Sequence, residues 1–141
     1  MDRTRYDEYV RRFNEEDPTA FEEFLAPDMH MQNGTLEFTG IQGMKDHYAK
    51  IWGKIRESLN VERFVSDDQT IAVQMHAHFE ALVDDDASPF GQVSKGEAFD
   101  FRGLIMYQLD PEGKYKDIKV AYNRFTLTGL DGKETELGIP H

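Results

Sequence analysis

Residues Gly96 to Thr128 read GEAFDFRGLIMYQLDPEGKYKDIKVAYNRFTLT, and this stretch decides the fold. Phe99, Phe101, Ile105, Tyr107 and Leu109 fall on alternate positions, with Asp100, Arg102 and Gln108 on the other parity, so the first half predicts a strand with one apolar and one wet face. Pro111-Glu112-Gly113-Lys114 is a turn, and the segment after it predicts a second long strand paired with the first. On that strand Ala121, Phe125 and Leu127 are expected to share a face with a single polar residue, Asn123, and an amide on an apolar face needs a partner or a ligand.

Upstream, a long strand is predicted over Thr70 to Val83 and a shorter one around Val61 to Ser66. Asp84 to Lys95 is expected to be a polar loop. The amino-terminal half reads as helix: Tyr6, Tyr9, Val10 and Phe13 recur at helical spacing between Thr4 and Glu16. Asp17-Pro18 opens a second helix that buries Phe21, Phe24 and Leu25. A third and longest helix is predicted from about Gln42 to Ser58, its stripe made by Met44, Tyr48, Ile51, Trp52 and Ile55, with Gly53 expected where something packs closely. Short extended pieces at Met29–Gln32 and Leu36–Thr39 lie between the second and third helices, and the tail after Thr128 reads as a loose end. Helices followed by strands predict one α+β domain over residues 1–141, with a curved antiparallel sheet wrapped around three helices into a cone that encloses a pocket.

The chain has 141 residues, a formal net charge of −11, 39% hydrophobic residues and no cysteine. That length suits one core. The charge disfavours nucleic acid and anionic membrane surfaces, which are held by clustered Lys and Arg. Without cysteine there is no disulfide framework and no thiolate chemistry. No apolar run approaches the ~18 residues of a membrane span, and the expectation is a soluble cytoplasmic protein.

The element order, together with Ala26-Pro27-Asp28, the helix entry from Gly40 to Tyr48 and the final three strands, resembles the SnoaL-like family of the nuclear-transport-factor-2-like superfamily. The resemblance covers nearly the whole chain. It implies a small-molecule enzyme of isomerase, cyclase or hydrolase type, acting by proton transfer on a hydrophobic oxygenated substrate such as a polyketide, steroid or terpenoid, without a cofactor. The alternative is a non-catalytic binding or assembly protein of the same fold. It also implies a homodimer through the outer sheet face.

Similarity to the epoxide hydrolases of the family would make His30 and Gln32, which share a strand face, a hydrogen-bonding pair in the pocket. His30 is the candidate acid/base, and a core or rim histidine is the plainer account of it. Asn123 lies where relatives carry an aspartate, and Ile105 where a cyclase would carry histidine. The usual acid/base pair is therefore absent, and Asn123 is expected to act as a hydrogen-bond donor. Tyr48, Trp52, Phe101, Ile105, Tyr107 and Phe125 are the candidate substrate-binding residues, with core packing as the simpler role for the aromatics. His76, His78 and Glu80 alternate on one strand. They are expected on a polar outer face or subunit interface, with no metal.

Overall fold

The computed structural model describes residues 1–138. Helix α1 (Arg3–Asn14) is capped by Asp2, whose carboxylate accepts from the Arg5 amide at 2.8 Å, and buries Tyr6, Tyr9, Val10 and Phe13. Helix α2 (Thr19–Phe24) follows, with the Asp17 carboxylate accepting from the Thr19 amide at 3.0 Å. Then come β1 (Leu25–Asn33), β2 (Leu36–Thr39), α3 (Gly40–Ala49), β3 (Ile55–Ser66) and β4 (Thr70–Ala81). The small hairpin β5 (Asp85–Ser88) and β6 (Gly91–Val93) precedes the long strands β7 (Ala98–Leu109) and β8 (Tyr115–Thr128), and β9 (Glu134–Glu136) adds to the edge of β8. Among the described residues no helix is long and apolar enough to cross a membrane.

The main sheet runs β2-β1-β8-β7-β4-β3. It curves around the helices, as expected, but it is mixed rather than antiparallel: β1 runs parallel to β8, with Met31 opposite Ile118. Alternation specifies a strand and its faces. It carries no information about direction when a strand from far upstream fills the open edge of a hairpin.

The third helix is shorter than its pattern predicted. It ends at Ala49, and by Ile55 the chain is a strand. Ile55 and Leu59 are four apart, which suits one helical face and one strand face equally. Gly53 marks the change of period. It has φ +93° and nothing within 4 Å of where a Cβ would stand, so it serves the turn and not a close contact. The expected loop at Asp84–Lys95 contains the β5–β6 hairpin, and the expected loose tail contains β9.

A second displacement lies in β8. Phe101 pairs with Phe125 and Arg102 with Arg124, but Gly103 pairs with Tyr122, so Asn123 is the extra residue of a bulge. The bulge resets the parity: Tyr122, Phe125 and Leu127 are half-buried, while Ala121 and Asn123 are exposed. Gly103 is what admits it, since a Cβ there would stand 2.3 Å from the Tyr122 Cα and 2.4 Å from the Ala121 carbonyl oxygen.

Inside the cone Tyr107 meets α1 through a hydroxyl pair, Tyr6 Oη to Tyr107 Oη at 2.7 Å. Phe99, Phe101 and Phe125 pack instead around Phe90 of the β5–β6 hairpin, with Phe90 stacked on Phe99 at 4.4 Å between ring centres. The hairpin closes the end of the sheet that the three helices do not reach.

Candidate functional site

Alternation sends every second residue of the curved sheet inward, and the inward set does not pack solid against the helices. It leaves a cavity of about 170 Å³, far above the roughly 10–15 Å³ that one water needs. Its wall is largely apolar: Phe13, Met31, Met44, Ile51, Met75, Phe79, Phe101, Ile105 and Val120 contribute, and Pro89 and Phe90 border it from the hairpin. Of the candidate substrate-binding residues, Tyr48, Phe101, Ile105 and Tyr107 line the cavity. Trp52 and Phe125 do not. Trp52 lies behind the wall, stacked on Phe21 at 5.7 Å, and Phe125 packs edge-on to Phe101 at 4.3 Å.

The expected catalytic group is elsewhere. On β1 it is Met29 and Met31 that point inward, so His30 and Gln32 share the outer face. The His30 ring is clamped there, Nδ1 2.9 Å from Asp117 Oδ1 and Nε2 2.6 Å from Glu37 Oε1. The Asp117 hydrogen bond, and then that of Glu37, raises its pKa above the ordinary 6.5. Asn123 is exposed at the bulge, outside the cavity wall. His30, Gln32 and Asn123 therefore do not converge, and their pocket placement is corrected. A one-residue phase difference on β1 and an inserted residue on β8 each exchange the two faces.

The polar groups that do reach the cavity are Glu57, Tyr9, Tyr48, Tyr107, Tyr122, His47 and Asn33. Glu57 is the unusual one. It is the only charged side chain in the buried set of the described residues, 7% exposed. Strand β3 puts it there, because Ile55, Glu57 and Leu59 alternate inward. Burial alone pushes its carboxyl up to about 8 from an ordinary 4.5, with no hydrogen bond or neighbouring charge to offset it.

Tyr9 and Tyr48 are fully enclosed, and burial raises both phenols well above 10. A Glu57 carboxylate raises both further, so the three groups sense one another across the cavity floor. His47, in edge contact with Tyr48 at 4.8 Å, is lowered by burial and then by Lys50, which keeps its imidazole neutral. The floor is thus a protonatable acid, two neutral phenols and a neutral imidazole in an apolar shell. Such a set can hold an oxygen-bearing molecule and exchange a proton with it.

Glu57 does not stand out in the sequence because the helical pattern predicted from Gln42 to Ser58 runs over it, and an acid at that position of a helix reads as solvated. The signal was present: once Gly53 is read as a stop, Glu57 is a lone acid on an apolar strand face. Tyr122 was missed because Gly103 was not read as the mark of a bulge.

A model of the SnoaL-like domain matches residues 6–118. Comparison with curated proteins finds no sequence match. Among solved structures, a candidate polyketide cyclase from Xanthomonas campestris is similar at 19% identity and TM-score 0.69, over 82% of this chain and 84% of that one. A limonene-epoxide-hydrolase-like epoxide hydrolase from Mycobacterium tuberculosis is similar at 11% identity and TM-score 0.65, over 81% and 76%. Another M. tuberculosis protein, solved in complex with estradiol-17β-hemisuccinate, is similar at 16% identity and TM-score 0.65, over 90% and 92%. These identities speak to the fold alone, whereas the domain match spans most of the sequence: the chain belongs to the SnoaL-like family.

Proposed function

We propose that this protein is a proton-transfer enzyme acting on a hydrophobic, oxygenated small molecule, with Glu57 as the proton shuttle. The observation that carries this reading is a buried carboxyl raised to about 8, facing an apolar cavity beside two buried phenols. A shuttle works best when its pKa lies near the working pH. In its ionised form Glu57 takes a proton from the carbon next to a carbonyl. The carbonyl oxygen gains negative charge, and the Tyr9 and Tyr48 hydroxyls, which stay protonated, donate to it. The Glu57 acid then returns the proton to another carbon of the enolate system, which gives an isomer, or, where the enolate carbon has first attacked a second carbonyl of the same molecule and closed a carbon–carbon bond, to the resulting alkoxide, which gives a cyclised product; either route regenerates the carboxylate. The apolar wall excludes bulk water and selects ring systems of modest size. Polyketide, steroid and terpenoid skeletons fit that description, and structural neighbours include a candidate cyclase and a steroid-derivative complex.

A homodimer through the outer sheet face belongs to the same proposal. On β7 the outward residues Leu104 and Met106 are 62% and 51% exposed, and Val65 of β3, 67% exposed, continues the apolar patch across Ala72.

The test is deuterium exchange next to the carbonyl of small monocyclic and bicyclic ketones, followed by NMR in D₂O. Exchange should rise with pH and level off above about 8, and Glu57→Gln should lower it ~100-fold or more. Binding without exchange across the panel would favour a non-catalytic carrier, and exchange unchanged in Glu57→Gln would remove Glu57 from the mechanism.

A further inference from the structure

We infer that the outer sheet face carries a divalent transition-metal site made by His76 and His78 of β4 and Asp100 of β7. The ladder sets His78 directly opposite Asp100, with His76 two residues along on the same face. Both rings turn to one oxygen: His76 Nε2 lies 2.6 Å and His78 Nδ1 2.8 Å from Asp100 Oδ1. All three donor atoms fall within 4.8 Å of one another. A zinc ion bound at ~2.0–2.2 Å needs its donors roughly 3.3 Å apart, so the two nitrogen–oxygen separations have to open by about 0.5–0.7 Å, and the two nitrogens, already within 4.8 Å of each other, have to come to a similar spacing. The backbone positions need not change, because they are fixed by paired strands.

The donor set selects the ion. Two imidazoles and one carboxylate suit zinc and its first-row neighbours, while calcium and magnesium require oxygen shells that are not present here. The nearest cation in the ladder, Arg102 opposite His76, is engaged by Glu62 at 3.2 Å. The three side chains are 21%, 41% and 23% exposed, which leaves an approach for the ion and a position for water. Such a site would tie β4 to β7 on the face opposite the cavity, where Ala77 and Phe101 of the same strands point inward. It does not draw on the cavity residues of the proton-transfer reading, and it lies along the outer face from Leu104 and Met106, the patch proposed to pair two chains. Glu80, the third alternate residue on β4, takes no part, and a cross-strand ligand such as Asp100 is what spacing along one strand does not reveal.

Calorimetric titration of ZnCl₂ into chelator-treated, dialysed protein should show one ion per chain that excess Mg²⁺ and Ca²⁺ do not displace, and Co²⁺ should give the visible bands of a nitrogen-ligated ion. His76→Ala, His78→Ala and Asp100→Asn should each weaken binding by more than the roughly 10–100-fold that loss of an outer partner causes. His30→Ala, which removes another carboxylate-flanked histidine, should leave it unchanged. Should an alanine variant unfold, His76→Gln and His78→Gln keep the shape without an imidazole, and thermal unfolding with and without Zn²⁺ gives a second readout. Zn²⁺ affinity weaker than about 100 µM, displacement by Mg²⁺, or affinity retained in the His76→Ala/His78→Ala double variant would overturn the site.

Discussion

Replacing Glu57 by Gln removes one proton equilibrium from the protein and little volume, which makes it a sharp test of how the cavity floor works. The Glu57 carboxyl ionises at about 8 in the folded chain and at an ordinary 4.5 when unfolded. Its folded value is raised, so its contribution to stability is fully present below 4.5 and is lost as pH rises toward about 8. Each pH unit in that window removes about 1.4 kcal/mol, up to about 5 kcal/mol across the whole of it. Between about pH 5 and about pH 7 the parent should therefore lose up to about 3 kcal/mol that the Gln variant keeps. The absolute stability of the variant also depends on how its amide is partnered, so the pH dependence of the difference is the quantity to measure. Urea unfolding at a series of pH values, with slope held in common, reads it as a midpoint shift. Curves for parent and variant that stay parallel from about pH 5 to about pH 8 would show that Glu57 ionises as freely folded as unfolded, and the shuttle would lose its physical basis.

Gly103→Ala should destabilise the fold by about 1–3 kcal/mol or more, because its Cβ would stand 2.3 Å from the Tyr122 Cα and must push the β8 bulge outward; unchanged thermal unfolding would show that the bulge yields freely. The His30 imidazole should titrate above 6.5 by NMR and fall back toward it in Asp117→Asn. The stability that its charged form confers is present below 6.5 and is lost as pH rises through the higher folded value, and a native midpoint at or below 6.5 would contradict the clamp. For the outer-face dimer, light scattering of the parent should give twice the chain mass, and a Leu104→Lys/Met106→Glu variant should give one; a monomeric parent at micromolar concentration would end that proposal.

The fold was legible wherever one period ran unbroken. The β7 pattern names its own inner face, and α1 is written in Tyr6, Tyr9, Val10 and Phe13, all buried. Legibility failed where the period changed or slipped. Ile55 and Leu59 satisfy helix and strand alike, so only Gly53 could show where α3 gives way to β3. On β1 alternation puts His30 and Gln32 on one face, but polar residues on a strand with half-polar sequence do not declare which face is the inner one. The methionines did: Met29 and Met31 are the apolar phase, and that phase goes inside. On β8 a single extra residue moved Asn123 from the wall to the surface and brought Tyr122 in.

The same parity logic explains why the proposed proton shuttle is the residue that looks least at home. A carboxyl on the outer face, such as Asp100 or Asp117, finds imidazole or ammonium partners and is held below its ordinary value. Such a group is ionised at neutral pH and has no proton to give. Glu57 has the same chemistry on the opposite face of the same sheet, where the neighbours are Ile55, Leu59 and the phenols of Tyr9 and Tyr48. There the penalty for charge is left unanswered, and the proton is held until near pH 8. A partner placed beside Glu57 would restore stability and remove that property. Tyr48→His is the substitution that asks this directly. An imidazole next to Glu57 should draw its carboxyl down toward the ordinary range, flatten the pH dependence of unfolding and shift the ketone-exchange profile to lower pH. Exchange that still levels off only above about 8 would mean that the cavity itself, and not the lack of a partner, sets the proton affinity of Glu57.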